Sequence, residues 1–358
     1  MTKKLLPAMI GVALAGGMSA AAADVSVFGH IDTAIVNYDD ATSTGPGSDD
    51  TNLVCTTCSI GFKGSEDLGN GLKAIFSLDF QYDTTVRNDG DGSSGDGDNN
   101  NSGLVDRDQW VGLAGGFGKV RIGTISTVYK SHGAMIDPLY RTALQGRSYH
   151  LQSDFHNGAG EELEGRATNT IRWDSADFNG FKLGAHYTLD SNENDTPTPE
   201  DNNPFGIGGS YENGGILVFA DYISNDGSAA QRVPGSNDGE INAWKVGGKY
   251  TMGDIAVMGQ YEDGEFDTGA GEEATNWHVA GSYTMGNNML YAAYGNYTEE
   301  TNAGDIEDTD SWTIALMHSM SKRTKAYVGY NNQEDDDPNN NGKIVDEDTF
   351  ALGIKHKF

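Results

Sequence analysis

Apolar and polar residues alternate along much of this chain with a period of two. Between Phe181 and Leu189 every second residue is apolar, and Lys, Gly, His and Thr fall between them. The stretch from Leu72 to Gln81 has nearly the same pattern. Successive side chains of a β-strand point to opposite faces, so a period of two predicts strands. The chain is therefore expected to consist largely of strands with one apolar face.

The C-terminal residues form such a strand, in which Phe350, Leu352, Ile354 and Phe358 share one face. A membrane barrel has an apolar outward face, and its last strand must pair with its first. An amphipathic edge strand of a soluble sheet would give the same pattern over a single segment. The other segments of the chain must therefore decide between these two interpretations.

Sixteen segments carry the strand pattern, and short turns with Gly or Asn alternate with long loops rich in Asp, Asn, Gly and Ser. This alternation is typical of transmembrane barrels, whose strands need roughly 9–11 residues. It predicts an all-β fold, a 16-stranded antiparallel transmembrane β-barrel. A barrel of this width holds water, so no central hydrophobic core is expected. The predicted strands are 24–38, 53–63, 71–82, 106–114, 119–125, 168–175, 181–189, 205–212, 215–223, 240–250, 254–263, 274–284, 288–298, 310–319, 323–332 and 347–358.

The connector from Ser126 to Arg166 differs from the other long loops because it is rich in apolar and aromatic residues. A loop on the solvent-exposed surface would be more polar. The composition therefore predicts that this connector folds into the barrel lumen and narrows the channel. Its apolar and aromatic residues are Val128, Tyr129, Met135, Ile136, Leu139, Tyr140, Leu144, Tyr149, Leu151 and Phe155.

The N-terminal residues are typical of an export signal. A basic pair, Lys3 and Lys4, precedes an apolar stretch and a run of alanines that ends at Ala23. This pattern predicts a signal peptide at 1–23 and a barrel domain at 24–358. No other run approaches the roughly 18 apolar residues of a spanning helix, so no transmembrane helix is expected. The expected location is the bacterial outer membrane.

The chain is strongly acidic, with a formal charge of −30 at pH 7 and a mean hydropathy of −0.51. Low hydropathy fits a barrel because only every second strand residue meets lipid. The acids are concentrated in the predicted loops, which argues against nucleic acid as a partner and favours cations near the mouth. The histidines show no spacing tied to a serine in a Gly-x-Ser-x-Gly context, so no enzyme is expected.

Cys55 and Cys58 are the only cysteines of the chain. An exported protein meets an oxidising compartment, which favours a disulfide. Three residues of straight strand span roughly 10 Å, however, which is too far for the bond. A disulfide therefore requires a turn or a bulge at this point. A zinc site would need two further ligands, and the sequence offers no second Cys-x-x-Cys motif.

The segment 337–348 fits the spacing of a twelve-residue calcium loop, with acid or amide oxygens, a glycine and a terminal acid at the motif positions. It departs from the motif because its last acid is Asp rather than Glu and no helices flank it. An Asn- and Asp-rich loop would also match by composition alone. Calcium binding is therefore one of two interpretations, and no cofactor is required. The candidate ligands are Asp337, Asn339, Asn341 and Asp348.

Several segments together resemble the Gram-negative general porins. The segment 60–74 is similar to the family's second strand, first turn and third strand, and segments 24–34, 109–118 and 166–181 are also similar to family segments. The resemblance implies a homotrimer of sixteen-stranded barrels with the third extracellular loop folded inward. It implies outer-membrane lipid and lipopolysaccharide as surroundings. It also implies that the barrel-assembly machinery reads the C-terminal strand through Phe358.

The resemblance further implies a constriction at which opposed acids and bases line an aqueous pore. Family members commonly have Arg where this chain has Ser59, so part of the expected basic wall is missing. The candidate acids on the inward connector are Asp137, Asp154, Glu161, Glu162 and Glu164. The candidate bases on the facing wall are Lys63, Lys73, Arg121 and Arg172, and Arg141, Arg147 and Arg166 lie on the connector or at its return.

These features predict passive diffusion of ions and small hydrophilic solutes through a water-filled channel. The acidic balance and the thinned basic wall predict a cation preference, which is mild because charges interact weakly across water and salt screens them. The alternative is a solute-specific porin, and Tyr129, Tyr140 and Tyr149 on the connector leave a sugar-specific version open. A surface adhesin would need longer and less uniformly acidic loops.

Overall fold

The computed structural model describes residues 24–41, 48–85, 104–155, 165–189, 204–225, 241–266, 272–302, 304–337 and 343–358. Within these ranges, strand segments are numbered β1 to β17 along the chain, and the connector after β6 contains one short helix, α1 (Val128–Gly133), and the 3₁₀ turns Ala134–Ile136 and Gly146–Ser148. The strands are β1 (Asp24–Ala41), β2 (Ser48–Val54), β3 (Ser59–Gly69), β4 (Leu72–Gln81), β5 (Val105–Gly115), β6 (Gly118–Ser126), β7 (Arg166–Asp174), β8 (Phe181–Thr188), β9 (Phe205–Asn213), β10 (Ile216–Asn225), β11 (Ile241–Met252), β12 (Ile255–Phe266), β13 (Glu272–Met285), β14 (Asn288–Thr301), β15 (Gly304–Ser319), β16 (Thr324–Asp337) and β17 (Lys343–Lys357).

These segments close into a barrel of sixteen antiparallel strands, as the sequence predicts. β2 and β3 pair with the two halves of β1 and together make one barrel strand, which is interrupted between Val54 and Ser59. The other edge of β1 pairs with β17. The first and last strands therefore leave no open edge, which satisfies the backbone polar groups that lipid cannot.

Several strands extend further into the loop end of the barrel than the sequence predicts. β14 runs to Thr301 and β15 starts at Gly304, where the predicted bounds were 298 and 310. β17 begins at Lys343 rather than at 347. These ends are acidic and lack apolar alternation, but backbone pairing does not require apolar side chains. At the opposite end, the predicted turn 64–70 is too long because β3 continues to Gly69.

The two faces of the barrel differ as the pattern predicts. Leu352 and Val257 of the outward face are 50% and 54% exposed. Aromatic rings on this face lie near the loop end, as is typical of a barrel at a membrane interface. Among the described residues, no helix has the length and apolar character needed to cross a membrane. The paired outward rings are Trp244 with Tyr261, Trp277 with Tyr294, and Trp312 with Tyr330, with centroids 5.4, 5.7 and 5.4 Å apart.

An apolar cluster lies inside the barrel, so the expectation that the lumen has no packed core is wrong. Leu139, Leu144 and Leu151 of the connector after β6 are each 1% exposed. They pack in one cluster with lumen-facing residues of the wall, among them Ala34 and Tyr327. Burial of apolar surface contributes roughly 25 cal/mol per Å², so the connector gains stability by lying on the wall rather than in water.

Candidate functional site in the barrel lumen

The inward loop, defined here as residues 127–155, lies within the lumen and follows its wall. Thr127 is the N-cap of α1, and its Oγ1 accepts a hydrogen bond from the backbone N–H of Lys130 at 3.2 Å. α1 packs against β8, β9 and β10. Residues 140–143 of the loop then reach β16, β17 and β1, and residues 150–153 contact β11, β12 and β13. The predicted inward fold of this connector is confirmed.

One anchor of the inward loop is a buried network around Glu262 of β12. The hydroxyl groups of Tyr129 and Ser153 donate hydrogen bonds to Glu262 Oε2 at 2.9 and 2.7 Å. Lys245 of β11 donates to Ser153 Oγ at 3.2 Å, and its Nζ lies 3.9 Å from the centroid of the Tyr129 ring. Burial, reinforced by the Glu262 carboxylate, raises the pKa of Tyr129 well above its usual value.

A second anchor joins the end of the loop to β13. Asn276 donates hydrogen bonds to the backbone oxygen of His150, at 3.0 Å, and to the carboxylate of Asp154. His150 Nδ1 lies 3.1 Å from Asp154 Oδ2, and the imidazole stacks on Tyr297 with centroids 4.8 Å apart. Burial opposes the charged imidazolium, but the Asp154 carboxylate outweighs it and raises the pKa of His150 to about 9.

Asp137, a predicted pore acid, instead organises the loop from within. Its carboxylate accepts hydrogen bonds from the backbone N–H groups of Leu139 and Gly146 at 2.8 and 2.9 Å, and from Gln152 at 3.3 Å. Burial raises the pKa of Asp137 to about 6. The side chain is 8% exposed, so it caps backbone groups rather than facing the pore. Of the other predicted acids, Asp154 belongs to the second anchor, and Glu161, Glu162 and Glu164 lie outside the described residues.

The four predicted wall bases face the lumen but occupy two separate places. Arg121 and Arg172 lie on neighbouring strands and both pair with Asp174, Arg172 at 2.7 Å. Lys63 and Lys73 lie on β3 and β4 towards the short turn between these strands. The described structure therefore does not bring all four bases together opposite the inward loop.

A group of arginines that the sequence did not single out as one site meets at Tyr140 of the inward loop. The guanidinium carbons of Arg141 and Arg147 lie 5.6 and 5.9 Å from the centroid of its ring. Burial opposes ionisation of the phenol, but Arg141 and Arg147 outweigh it and lower the pKa of Tyr140. Arg107 of β5 adds a third guanidinium nearby and pairs with Asp79 at 3.1 Å.

Arg141 reaches the wall beside Ser59, the position at which the sequence lacks the family's arginine. Its Nη1 donates to His30 Nδ1 at 2.8 Å, and Ser59 Oγ lies 3.2 Å from the same nitrogen. A loop residue thus supplies positive charge next to the wall position that lost it. Arg141 has a φ of +63°, a left-handed backbone conformation that no local sequence signal announced.

Comparison with known proteins places the chain in a family. The sequence profile of Gram-negative porins matches residues 8–338. The major outer membrane protein P.IB of Neisseria meningitidis is 30% identical over 246 residues, which make up 66% of this chain and 63% of that relative. P.IB of Neisseria lactamica is 26% identical over 255 residues, 68% of this chain and 66% of the relative. The matched region is thus less than two thirds of either relative.

Solved porins share the fold. The anion-selective porin from Comamonas acidovorans has a TM-score of 0.74 at 22% identity, and the match covers 94% of this chain and 100% of that one. OmpF of Salmonella typhi has a TM-score of 0.67 at 17% identity, with 93% and 97% covered. At these identities the likeness shows the fold alone. The family and the names of the relatives indicate the bacterial outer membrane as the location. Because the porin profile spans most of its length, the chain belongs to the Gram-negative porin family.

Proposed function

We propose that this porin forms a water-filled channel for the passive diffusion of ions and small hydrophilic solutes. The observation that carries the proposal is the inward loop, which buried hydrogen bonds hold against the inner wall of a barrel with an apolar exterior. A loop fixed in this way sets the cross-section of an aqueous path. The family and fold likewise indicate a channel protein rather than an enzyme.

Planar-bilayer recording tests this proposal. Purified, folded protein added to a bilayer in KCl should produce discrete, stepwise increases in current, each step reporting one assembled unit. Folded protein that inserts into the bilayer without producing current steps would contradict the proposal. Heat-denatured protein from the same preparation is the matched control and should give none.

We also propose a mild cation preference that weakens as salt rises. The chain carries a formal charge of −30, and Asp308, Asp310 and Asp346 are exposed near the loop end of the barrel. The range over which such charges attract ions is set by the Debye length, which falls from roughly 30 Å at 0.01 M salt to roughly 3 Å at 1 M. Arg141 and Arg147, by contrast, lie on the inward loop against Tyr140, inside the barrel rather than at its mouth.

Reversal potentials under a KCl gradient measure this preference. We expect clear cation preference at low ionic strength and a smaller preference when both compartments hold concentrated KCl. A clear anion preference at low ionic strength would contradict the assignment. A cation preference that stayed constant with salt would place its origin in the constriction rather than at the mouth.

The described part of the loop does not favour the sugar-specific alternative. Tyr129 and Tyr149 are buried, with 1% and 7% of their surfaces exposed. Tyr140 lies beneath the guanidinium groups of Arg141 and Arg147. None of the three rings is therefore an open platform on which a sugar would stack. A panel of sugars that fails to block ion current would agree with a general diffusion channel.

We also propose the partners that the resemblance to general porins implies. They are two further copies of the chain in a homotrimer, outer-membrane lipid and lipopolysaccharide, and the barrel-assembly machinery at Phe358. Calcium is the least favoured, because residues 343–348 pair with β16 in a strand rather than forming an open loop. Two other candidate ligands, Asn339 and Asn341, lie outside the described residues. Asp348 accepts a hydrogen bond from Asn332 at 3.0 Å. A thermal unfolding curve that calcium and chelator both leave unchanged would remove calcium from this set.

A further inference from the structure

The Cys55–Cys58 disulfide closes a bulge in the second strand of the barrel. On one side of the interruption Val54 pairs with Ala34, and on the other Ser59 pairs with His30. Four residues, 55–58, therefore oppose only three residues of β1, 31–33. The two cysteine Cα atoms are 5.9 Å apart, against roughly 10 Å for three residues of straight strand. The disulfide thus spans the extra residue, and a bulge of this kind redirects nearby side chains.

The bulge holds two lumen-facing residues of β1. Thr57 Oγ1 lies 3.2 Å from His30 Nε2, and Ser59 Oγ lies 3.2 Å from His30 Nδ1. The backbone N–H of Asp32 donates to Cys58 Sγ at 3.4 Å. All five side chains are buried. The positions of His30 and Asp32 therefore depend on the course that the disulfide imposes on residues 55–58.

The same two residues of β1 hold the inward loop. Arg141 Nη1 donates to His30 Nδ1 at 2.8 Å. A guanidinium can only donate, so His30 Nδ1 must be the acceptor nitrogen of the imidazole. The ring proton is then on Nε2, which donates a hydrogen bond to Thr57 Oγ1. Asp32 Oδ1 accepts from the hydroxyl of Tyr327 at 2.9 Å, and that hydroxyl accepts from the backbone N–H of Ala143 at 3.1 Å. Residues 141 and 143 of the loop are thus both tied to β1.

We propose that the Cys55–Cys58 disulfide is a positioning element of the constriction, which fixes Arg141 at the wall and thereby helps to set conductance and ion selectivity. The inference rests on the proposed channel function. Opening the disulfide relaxes the bulge, so that His30 no longer presents Nδ1 to Arg141. The guanidinium then moves towards the channel axis with its positive charge. The open channel should conduct less, close more often and prefer cations less than the oxidised form does.

The first test uses the wild-type protein, because its only cysteines are the two of this disulfide. Channels are recorded in a bilayer before and after addition of a dithiol, which reduces the bond by exchange and leaves two thiols. Brief closures should become about tenfold more frequent, the effect of losing roughly one hydrogen bond to a charged group. The reversal potential should shift towards anion permeability. The variant C55S/C58S, treated with the same dithiol, is the control and should show no change on addition.

The second test separates positioning from general stability. Reversal potentials are measured for wild type, R141A, C55S/C58S and the combined variant, in a double-mutant cycle. If the disulfide acts through Arg141, C55S/C58S shifts the potential in the wild-type background but not in R141A. Equal shifts in both backgrounds, or unchanged selectivity in the reduced wild type, would overturn the proposal. Absence of current from every variant and from wild type would instead refute the channel function itself.

Discussion

Nη1 of Arg141 lies 2.8 Å from Nδ1 of His30, a contact that joins the inward loop to the first strand across 111 positions of sequence. It places a guanidinium beside Ser59, where the family pattern would supply an arginine from the wall. Positive charge at this level of the lumen thus comes from the loop. The sequence alone had indicated that this part of the basic wall was missing.

Replacement of Arg141 by Ala should strengthen the cation preference and raise conductance slightly. The change removes a positive charge and a bulky side chain from the lumen while leaving the barrel strands intact. Reversal potentials at low ionic strength measure the effect. Lys182→Ala is the matched control, because Lys182 is half exposed and pairs with Asp177 at the far end of β8. An identical shift in both variants would show that only net charge matters.

Replacement of Lys245 by Met should destabilise the inward loop strongly. Lys245 is fully buried beside Glu262, and its Nζ lies 4.0 Å from Asp221 Oδ2. Its loss therefore leaves two buried carboxylates without their cation. Removing one partner of a buried pair typically costs roughly 3–5 kcal/mol. We expect noisy, frequently closing channels and a lower thermal midpoint of the folded barrel.

The double variant K245M/E262M tests the cause of that loss. It removes the Lys245 cation together with the Glu262 carboxylate and should recover part of the stability, because the buried carboxylate that remains, Asp221, still has His132 Nδ1 2.7 Å away. A double variant that is at least as unstable as the sum of the two single variants would show that packing, rather than charge pairing, holds this anchor.

The second anchor should depend on pH through His150. Its pKa in the folded protein is raised from 6.5 to about 9, so the folded state binds the proton more tightly than the unfolded state does. The stability that the charged imidazole contributes is therefore complete below pH 6.5 and is lost as the pH rises through about 9. The difference in thermal midpoint between wild type and His150→Gln should be largest near pH 6 and vanish near pH 10. A difference that is the same at both values would exclude this titration.

Barrel closure should depend on Phe358 and Gly29 together. The backbone N–H of each residue donates to the carbonyl oxygen of the other, at 3.0 and 3.1 Å. A Cβ atom at Gly29 would clash with the backbone oxygen of Ser59 and would lie 2.7 Å from the Phe358 ring. Phe358→Ala should reduce the amount of assembled barrel in the membrane more than it alters the conductance of channels that form. Gly29→Val should reduce assembly as well, because its side chain displaces that ring and the backbone of the neighbouring strand at Ser59.

The accompanying measurements are the yield of heat-modifiable barrel in membrane fractions and the single-channel conductance of the same preparation. Val27→Ala is a suitable control, because Val27 lies on the outward face of the same strand and is 55% exposed. If Phe358→Ala assembled normally but changed the conductance, the proposed contribution of Phe358 to barrel closure would be contradicted.

The sequence predicted the strands best where one face meets lipid, because there the alternation of apolar residues is strongest. It placed Phe350, Leu352 and Ile354 on one face, and all three are exposed on the outside of the barrel. It failed at the acidic strand ends, such as those of β14 and β15, because hydrogen bonding between backbones continues where no apolar face is needed. It also treated the lumen as free of packing, although the inward loop carries its own apolar partners to the wall.

The candidate site was less predictable, because its parts meet only through the tertiary fold. Their positions in the chain placed Asp137 and Asp154 on the inward loop. The sequence could not show, however, that Asp137 accepts hydrogen bonds from backbone amides or that Asp154 accepts one from Asn276. Lys245 and Glu262 looked like ordinary polar positions of two strands. Their role depends on contacts with loop residues that lie 92 to 133 positions earlier in the chain.

By itself the sequence determined a closed sixteen-stranded barrel with an apolar exterior, because residue alternation and turn spacing are local properties that repeat along the chain. It also determined that the long connector belongs inside, because that connector is too apolar for a surface loop. Only the tertiary structure decided which charges remain near the channel and which hold the loop. That choice depends on distances between strands and loop, and residues such as His30 and Arg141 become neighbours only when the barrel is closed.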